Sequence, residues 1–207
     1  MRVVVIDYGV NNLRSVVRAI EAAGHTPIVT PDRLEVRWAE RVVIPGVGSF
    51  ARAAQHFHDS GIADTLRDIV HEGRPVMGIC LGQQLLFESS EEGPGVAGIG
   101  LLPGHVRRFD GGLPVPHVGW SEVTPTAAGA PHVMLKNVFA RGPQFFYHVH
   151  SYRAADLPDG ISLATADYGG AFPTIVGKNN VIGVQFHPEK SQKAGIALMD
   201  AFAKWRP

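Results

Sequence analysis

Arg74-Pro75-Val76-Met77-Gly78-Ile79-Cys80-Leu81-Gly82-Gln83-Gln84-Leu85-Leu86-Phe87 is the stretch that decides how this chain is read. An apolar run starting at Pro75 leads into a cysteine with a glycine two residues away on either side. Helix-forming apolar residues follow at once. A sharp strand-to-helix turn requires this pattern, because the side chain at its tip is thrust outward and only small neighbours leave room for it. The turn also sets the sulfur at the start of the next helix, where the helix dipole and free backbone N–H groups favour an anion, the form in which a thiol is a nucleophile. Cys80 is the only cysteine in 207 residues. A single cysteine is more often an inert, buried small hydrophobe, so a catalytic reading needs a partner for the thiol.

On the N-terminal side of this turn the sequence alternates strand and helix. Val3–Ile6 is a short apolar run, and Leu13–Ala23 carries Leu13, Val16, Val17 and Ile20 at helical spacing, closed by Gly24. Arg41–Ile44 is the next strand, with helical segments expected at 51–58 and 62–71. Such alternation with fully apolar strands predicts a parallel sheet covered by helices. Beyond residue 90 glycine and proline recur, and the pattern predicts strands at 145–150, 161–166, 174–177 and 181–186, with Lys178-Asn179-Asn180 as a turn. A closing helix is expected at 193–204. The expected architecture is therefore α/β, one domain over residues 1–207, with a mostly parallel central sheet flanked by helices and antiparallel strands added in the second half.

Composition removes several classes of function. The 19 basic and 19 acidic residues cancel, so no basic surface advertises nucleic acid or an anionic membrane. No apolar stretch approaches a membrane span, and the chain opens directly on a strand, so no signal peptide is expected. One cysteine cannot form an internal disulfide, which fits a reducing cytoplasm. The ten histidines show no zinc-like spacing. His56 and His58 do not share a helix face, and His148 and His150 alternate with Val149 on a strand, so neither a metal nor another cofactor is expected.

The partner for the thiol lies far downstream. Val181–Phe186 reads as a buried strand ending in His187-Pro188-Glu189. In an extended chain the period of two puts His187 and Glu189 on one face, and Pro188 disfavours helix at His187. The carboxylate would then fix the tautomer of the imidazole and leave its other nitrogen to take the thiol proton. Pro45-Gly46-Val47-Gly48 directly follows a strand at the sheet edge where sites gather. A tetrahedral intermediate needs backbone N–H donors beside the nucleophile, and the candidates are Leu81 and Val47. Gly46 and Gly48 would let a peptide there reorient.

These motifs together resemble the class I (triad) glutamine amidotransferases. The resemblance rests on Gly78–Gln84, His187-Pro188-Glu189, Ile6–Gly9 with Asn12–Val16, Ile44–Phe50, Pro116–Trp120, His150–Arg153 and Gln185–Gln192, and so spans nearly the whole chain. It implies a flavodoxin-like fold, a catalytic triad of Cys80, His187 and Glu189, and an oxyanion strand at Gly46–Gly48. It further implies that Gln84 binds the α-amino acid end of glutamine, with backbone groups at Ser151 and Tyr152. Within the class the motifs resemble the branch that forms a heterodimer with a (βα)8-barrel cyclase subunit of histidine biosynthesis and sends it ammonia. Tyr147, Trp120 and Lys190 are candidates for the surface facing that partner. Asn11 stands where glycine is common in that branch, and Ser121 where asparagine is usual. Two alternatives stay open: a glutaminase for anthranilate or aminodeoxychorismate synthesis, and a catalytically silent interaction subunit.

Overall fold

A computed structural model describes residues 1–110 and 112–207. Strand β1 (Arg2–Ile6) shows why a sheet forms. Val3 and Val5 point into one hydrophobic cluster, while Val4 and Ile6 point into a second on the opposite face. A strand apolar on both faces must be covered on both. The same division recurs in β3 (Val42–Ile44), where Val43 faces the first cluster and its two neighbours the second.

The remaining elements follow in chain order. Strand β2 (Thr26–Thr30) comes after helix α1 (Leu13–Ala22), and α2 (Arg33–Arg37) precedes β3. Helices α3 (Phe50–Asp59) and α4 (Ile62–His71) lead to β4 (Val76–Ile79) and then α5 (Leu81–Leu85). The second half carries β5 (Ser89–Ser90), β6 (His105–Arg108), β7 (His117–Pro125), α6 (Val133–Lys136), β8 (Gln144–His150) and β9 (Tyr152–Ala155). It ends with β10 (Ser162–Asp167), β11 (Ala171–Lys178), β12 (Val181–Val184) and α7 (Gln192–Lys204).

Among the described residues the main sheet has nine strands in the order β2-β1-β3-β4-β12-β11-β10-β7-β8. The block from β2 to β12 is parallel throughout. From β12 onward every pairing is antiparallel. This is the expected parallel core with an antiparallel addition in the second half. Helices α1, α6 and α7 cover one face and α2 to α5 the other. A separate small sheet, β5-β6-β9, brings Tyr152 beside the end of β4.

Sequence periodicity passed over β2 and α2. Strand β2 is an edge strand, which is why it tolerates Pro27. Helix α2 is a single short turn started by Asp32, whose carboxylate accepts from Leu34 N–H at 2.8 Å. The strand expected to reach Phe186 stops at Val184.

Glycines set the position of α5. A Cβ on Gly78 would run into the backbone of Gly82, and one on Gly183 would lie 2.6 Å from Gln83 Cγ. Gly78 and Gly183 pair across β4 and β12, so the helix after Cys80 lies directly on a side-chain-free patch of sheet. Gly78→Ala is expected to destabilise the fold by about 1–3 kcal/mol through overpacking and to displace the Cys80 turn. Chemical denaturation together with thiol-alkylation rates checks both effects.

Candidate active site

Cys80 sits between β4 and α5 at φ 52° and ψ −108°. A non-glycine residue with such angles is strained, and the surrounding structure must hold it there. Its N–H donates to Val184 O at 2.8 Å, which fixes the turn to β12. Its thiol reaches Val149 O at 4.0 Å.

Phe186 and His187 continue from β12 toward the same end of the sheet. His187 N–H donates to Tyr147 O at 2.9 Å, and Ser191 Oγ donates to His187 O at 2.6 Å. The expectation of an extended His-Pro-Glu segment is corrected here. Pro188–Lys190 forms a 3-10 turn, closed by Lys190 N–H donating to His187 O at 3.0 Å. Proline is preorganised for the first position of a helical turn, and this turn swings Glu189 back to the imidazole. His187 Nδ1 and Glu189 Oε1 lie 2.7 Å apart, with both side chains removed from solvent. Asn12 Nδ2 donates to the same carboxylate oxygen at 3.1 Å.

The electrostatics follow from this burial. Desolvation alone would push the His187 imidazole down, but the Cys80 sulfur and the Glu189 carboxylate outweigh it and bring it up to about 10. With Nδ1 committed to Glu189, Nε2 is buried without a hydrogen-bond partner among the described residues.

A cavity of about 290 Å³ opens over the sulfur, lined by Val47, Gly48, Cys80, Leu81, Gln84, Ser151, Tyr152 and His187. That volume is at the small end for ligand sites and suits an amino acid better than a large cofactor. Gly46 does not line it. A Cβ at Gly46 would meet the Leu81 side chain and the Gly82 backbone, so this glycine permits a close approach to α5. Neither Val47 N–H nor Leu81 N–H donates to an acceptor among the described residues. Tyr8 Oη donates to Pro45 O at 2.5 Å and steadies the start of this loop.

Several site residues escaped the sequence reading. Glu92 lines the cavity, and burial pushes its carboxyl up although Phe50 N–H donates to it at 3.1 Å. It lies outside any periodic element, so no pattern marked it. Gln185 is fully buried with its amide nitrogen 3.7 Å from Cys80 Sγ, and the signal was an amide in an otherwise apolar strand. Asn12 belongs to a quoted motif, but its contact spans 177 residues.

Two buried histidines, His117 and His150, connect β7 to the cavity wall, which His150 helps to line. His150 Nδ1–H donates to Tyr152 O at 2.8 Å, so its Nε2 accepts from His117 Nδ1–H at 3.3 Å. His117 Nε2 in turn accepts from Ser121 Oγ at 3.0 Å. Burial holds His117 and His150 below the ordinary histidine range, which keeps this chain of neutral rings ordered. Among the described residues no group of three or more histidine, cysteine or carboxylate side chains could hold a metal ion. Among the described residues no helix is long and apolar enough to cross a membrane.

The three candidate surface residues converge. Trp120 pairs with Tyr147 across β7 and β8, their rings edge to face at 6.2 Å, and Lys190 Nζ lies 5.5 Å from the Tyr147 ring centre.

A family model described as glutamine amidotransferase class-I matches residues 4–204. The chain is 42% identical over 200 residues to imidazole glycerol phosphate synthase subunit HisH of Bacillus cereus (strain G9842), covering 97% of this chain and 93% of that one. Against the subunit of the same name from Salinibacter ruber it is 43% identical over 208 residues, with 96% and 92% covered. A crystal structure of a glutamine amidotransferase superposes with a TM-score of 0.74 at 20% identity, covering 96% and 98%. PurLQS from Thermotoga maritima gives 0.76 at 21%, covering 98% and 97%. The two solved structures bear on the fold alone.

An NMR titration of the His187 ring should find its midpoint near pH 10. Cys80→Ala removes a raising interaction and leaves the desolvation, so the midpoint should fall. An unchanged midpoint would show that the sulfur does not act on the ring.

Proposed function

The chain belongs to the class I glutamine amidotransferase family, and from that premise we propose that it hydrolyses glutamine to glutamate and ammonia within imidazole glycerol phosphate synthase. Cys80 and His187 on the wall of one amino-acid-sized cavity, with the buried Glu189 carboxylate against the imidazole, carry this reading. The ammonia goes to a cyclase subunit, a (βα)8 barrel, which forms imidazole glycerol phosphate and an aminoimidazole-carboxamide ribonucleotide. Residues 1–207 act as one glutaminase domain, and a working free thiol suits the cytoplasm.

His187 Nε2 takes the Cys80 proton, held on the ring by Glu189 through Nδ1. The sulfur forms a bond to the side-chain amide carbon, and the carbonyl electron pair moves to oxygen. The N–H groups of Val47 and Leu81 receive that oxyanion. As it collapses the carbon–nitrogen bond breaks, and the leaving nitrogen takes the proton from His187 and departs as ammonia. Water then attacks the thioester, gives a proton to His187, and the carbon–sulfur bond breaks to release glutamate. At the other end of the substrate, Gln84 and the Ser151–Tyr152 backbone hold the α-amino acid group. The Glu92 carboxylate is the wall's acidic partner for its ammonium.

The partner face comprises Trp120, Tyr147 and Lys190. Aromatic and long basic side chains are typical interface anchors, and Lys190 directly follows the catalytic acid. Lys190 is therefore suited to tie docking to triad geometry.

In the complex, Cys80→Ala should abolish glutamine-dependent synthesis while leaving ammonia-dependent synthesis intact. Equal loss of both would make the cysteine structural. Trp120→Ala should weaken cyclase binding by about tenfold or more, as expected for an aromatic hot spot, without changing alkylation of Cys80. Recovery of a chorismate-using subunit in place of the cyclase would overturn the assignment of partner.

A further inference from the structure

We propose that Gln185 is a catalytic residue of this site, its side-chain N–H donating to Cys80 Sγ and steadying the charge that the sulfur carries before attack and on leaving the thioester. The proposal deepens the glutaminase reading and rests on it for the reaction step, though not for the contact itself.

Gln185 is fully buried just beyond the end of β12, and its own N–H donates to Thr174 O at 2.8 Å, so its backbone stays in line with the sheet. Its Nε2 lies 3.7 Å from Cys80 Sγ, and its Oε1 accepts from Gln84 Nε2 at 3.2 Å. Gln84 Nε2 also donates to Tyr152 O at 3.3 Å.

The two ends of an amide look alike, so its orientation must come from the network around it. Here the network has a fixed end, because a backbone carbonyl can only accept. Tyr152 O therefore requires the nitrogen of Gln84. That nitrogen requires the oxygen of Gln185, and the nitrogen of Gln185 is left facing the sulfur. Turning either amide over would set donor against donor or acceptor against acceptor in a buried site, at a cost of roughly 1–3 kcal/mol per unmade bond.

Among the described residues this is the one hydrogen bond in which the Cys80 sulfur accepts. The other polar contact of the sulfur, with Val149 O, can be made only by the protonated thiol. An N–H donor opposes that contact and favours the ionised sulfur, since hydrogen bonds to a charged acceptor are the stronger kind. The same chain has a second effect. With its nitrogen occupied, Gln84 presents Oε1 as an acceptor on the wall of the cavity, so Gln185 also holds the substrate-binding amide in its working orientation.

The test compares Gln185→Met, close in shape but without an N–H donor, with Gln185→Glu, isosteric but carrying a negative charge beside the sulfur. The rate at which iodoacetamide alkylates Cys80 in the full chain is measured against pH, with circular dichroism and melting temperature to confirm folding. No glutamine is needed. The Met variant should react roughly ten- to a hundredfold more slowly at pH 7, the loss of one hydrogen bond to a charged acceptor. Its profile should move to higher pH, and that of the Glu variant further still. In the complex with cyclase, kcat for glutamine should fall and KM rise. A folded Met variant with the parent's alkylation profile overturns the proposal. If the Met variant does not fold, the Glu variant decides: a displaced profile supports the proposal and the parent's profile overturns it. Gln185-dependent alkylation in a chain that hydrolyses no glutamine, even with cyclase, would sink the glutaminase reading and leave the contact with sulfur standing.

Discussion

Helix α5 rests on a part of the sheet that sends up no side chains of its own. Gly78 and Gly183 leave the surface of β4 and β12 bare beneath it, and a Cβ on Gly82 would strike the Ile44 carbonyl at the end of β3. No room remains for the chain to leave β4 gradually. It must reverse within one residue, and that residue is Cys80, at φ 52°. Strain of this kind costs about 1–3 kcal/mol. Burying Leu81, Leu85 and Leu86 against the sheet contributes roughly 1.5–3 kcal/mol each, which exceeds it. The packing therefore holds Cys80 in a conformation that an isolated chain would abandon.

The same compactness decides the electrostatics. A buried carboxylate beside an unpaired imidazole would be costly, and a pair survives only when geometry and further hydrogen bonds compensate for lost hydration. Glu189 Oε1 receives both His187 and Asn12. The 3-10 turn at Pro188–Lys190 matters because it brings the acid to its neighbour two residues back, where an extended chain would only have aligned their faces. Tyr147 and Ser191 lock that turn to β8 through backbone and hydroxyl bonds. The histidine that looks local in sequence is thus oriented by a strand about forty residues away.

Local rules made the parallel block, the Cys80 turn and the closing helix legible in the sequence. Each is encoded by spacing within some ten residues: apolar runs, flanking glycines, helical periodicity. That Cys80 and His187 share a cavity and Glu189 pairs with the imidazole was legible because these distant residues carry their own short signals. What escaped was set by tertiary contact. Edge strand β2 has a broken apolar pattern because only part of it is covered. Glu92 belongs to a loop that the cavity wall recruits, and Asn12 reaches Glu189 across the whole chain. Gln185 was visible as a polar residue in an apolar strand, but only the fold shows that its amide meets the sulfur and the Gln84 side chain.

Strands β7 and β8 join these parts because a strand sends alternate side chains to opposite faces. On β8, Phe146, His148 and His150 turn inward to the core and the cavity wall, while Tyr147 stands on the outer face beside Trp120. On β7, Trp120 is outward, and the next residue, Ser121, donates inward to His117 and through His150 to the carbonyl of Tyr152. The Tyr152 carbonyl is also the fixed acceptor that orients Gln84 and hence Gln185. One backbone carbonyl thus anchors two hydrogen-bond chains, one running to the outer strand pair and one to the Cys80 sulfur. A continuous run of hydrogen bonds therefore joins Ser121 on β7 to the Cys80 sulfur by way of that carbonyl, and the fixed acceptor sets the direction of its amide and imidazole donors.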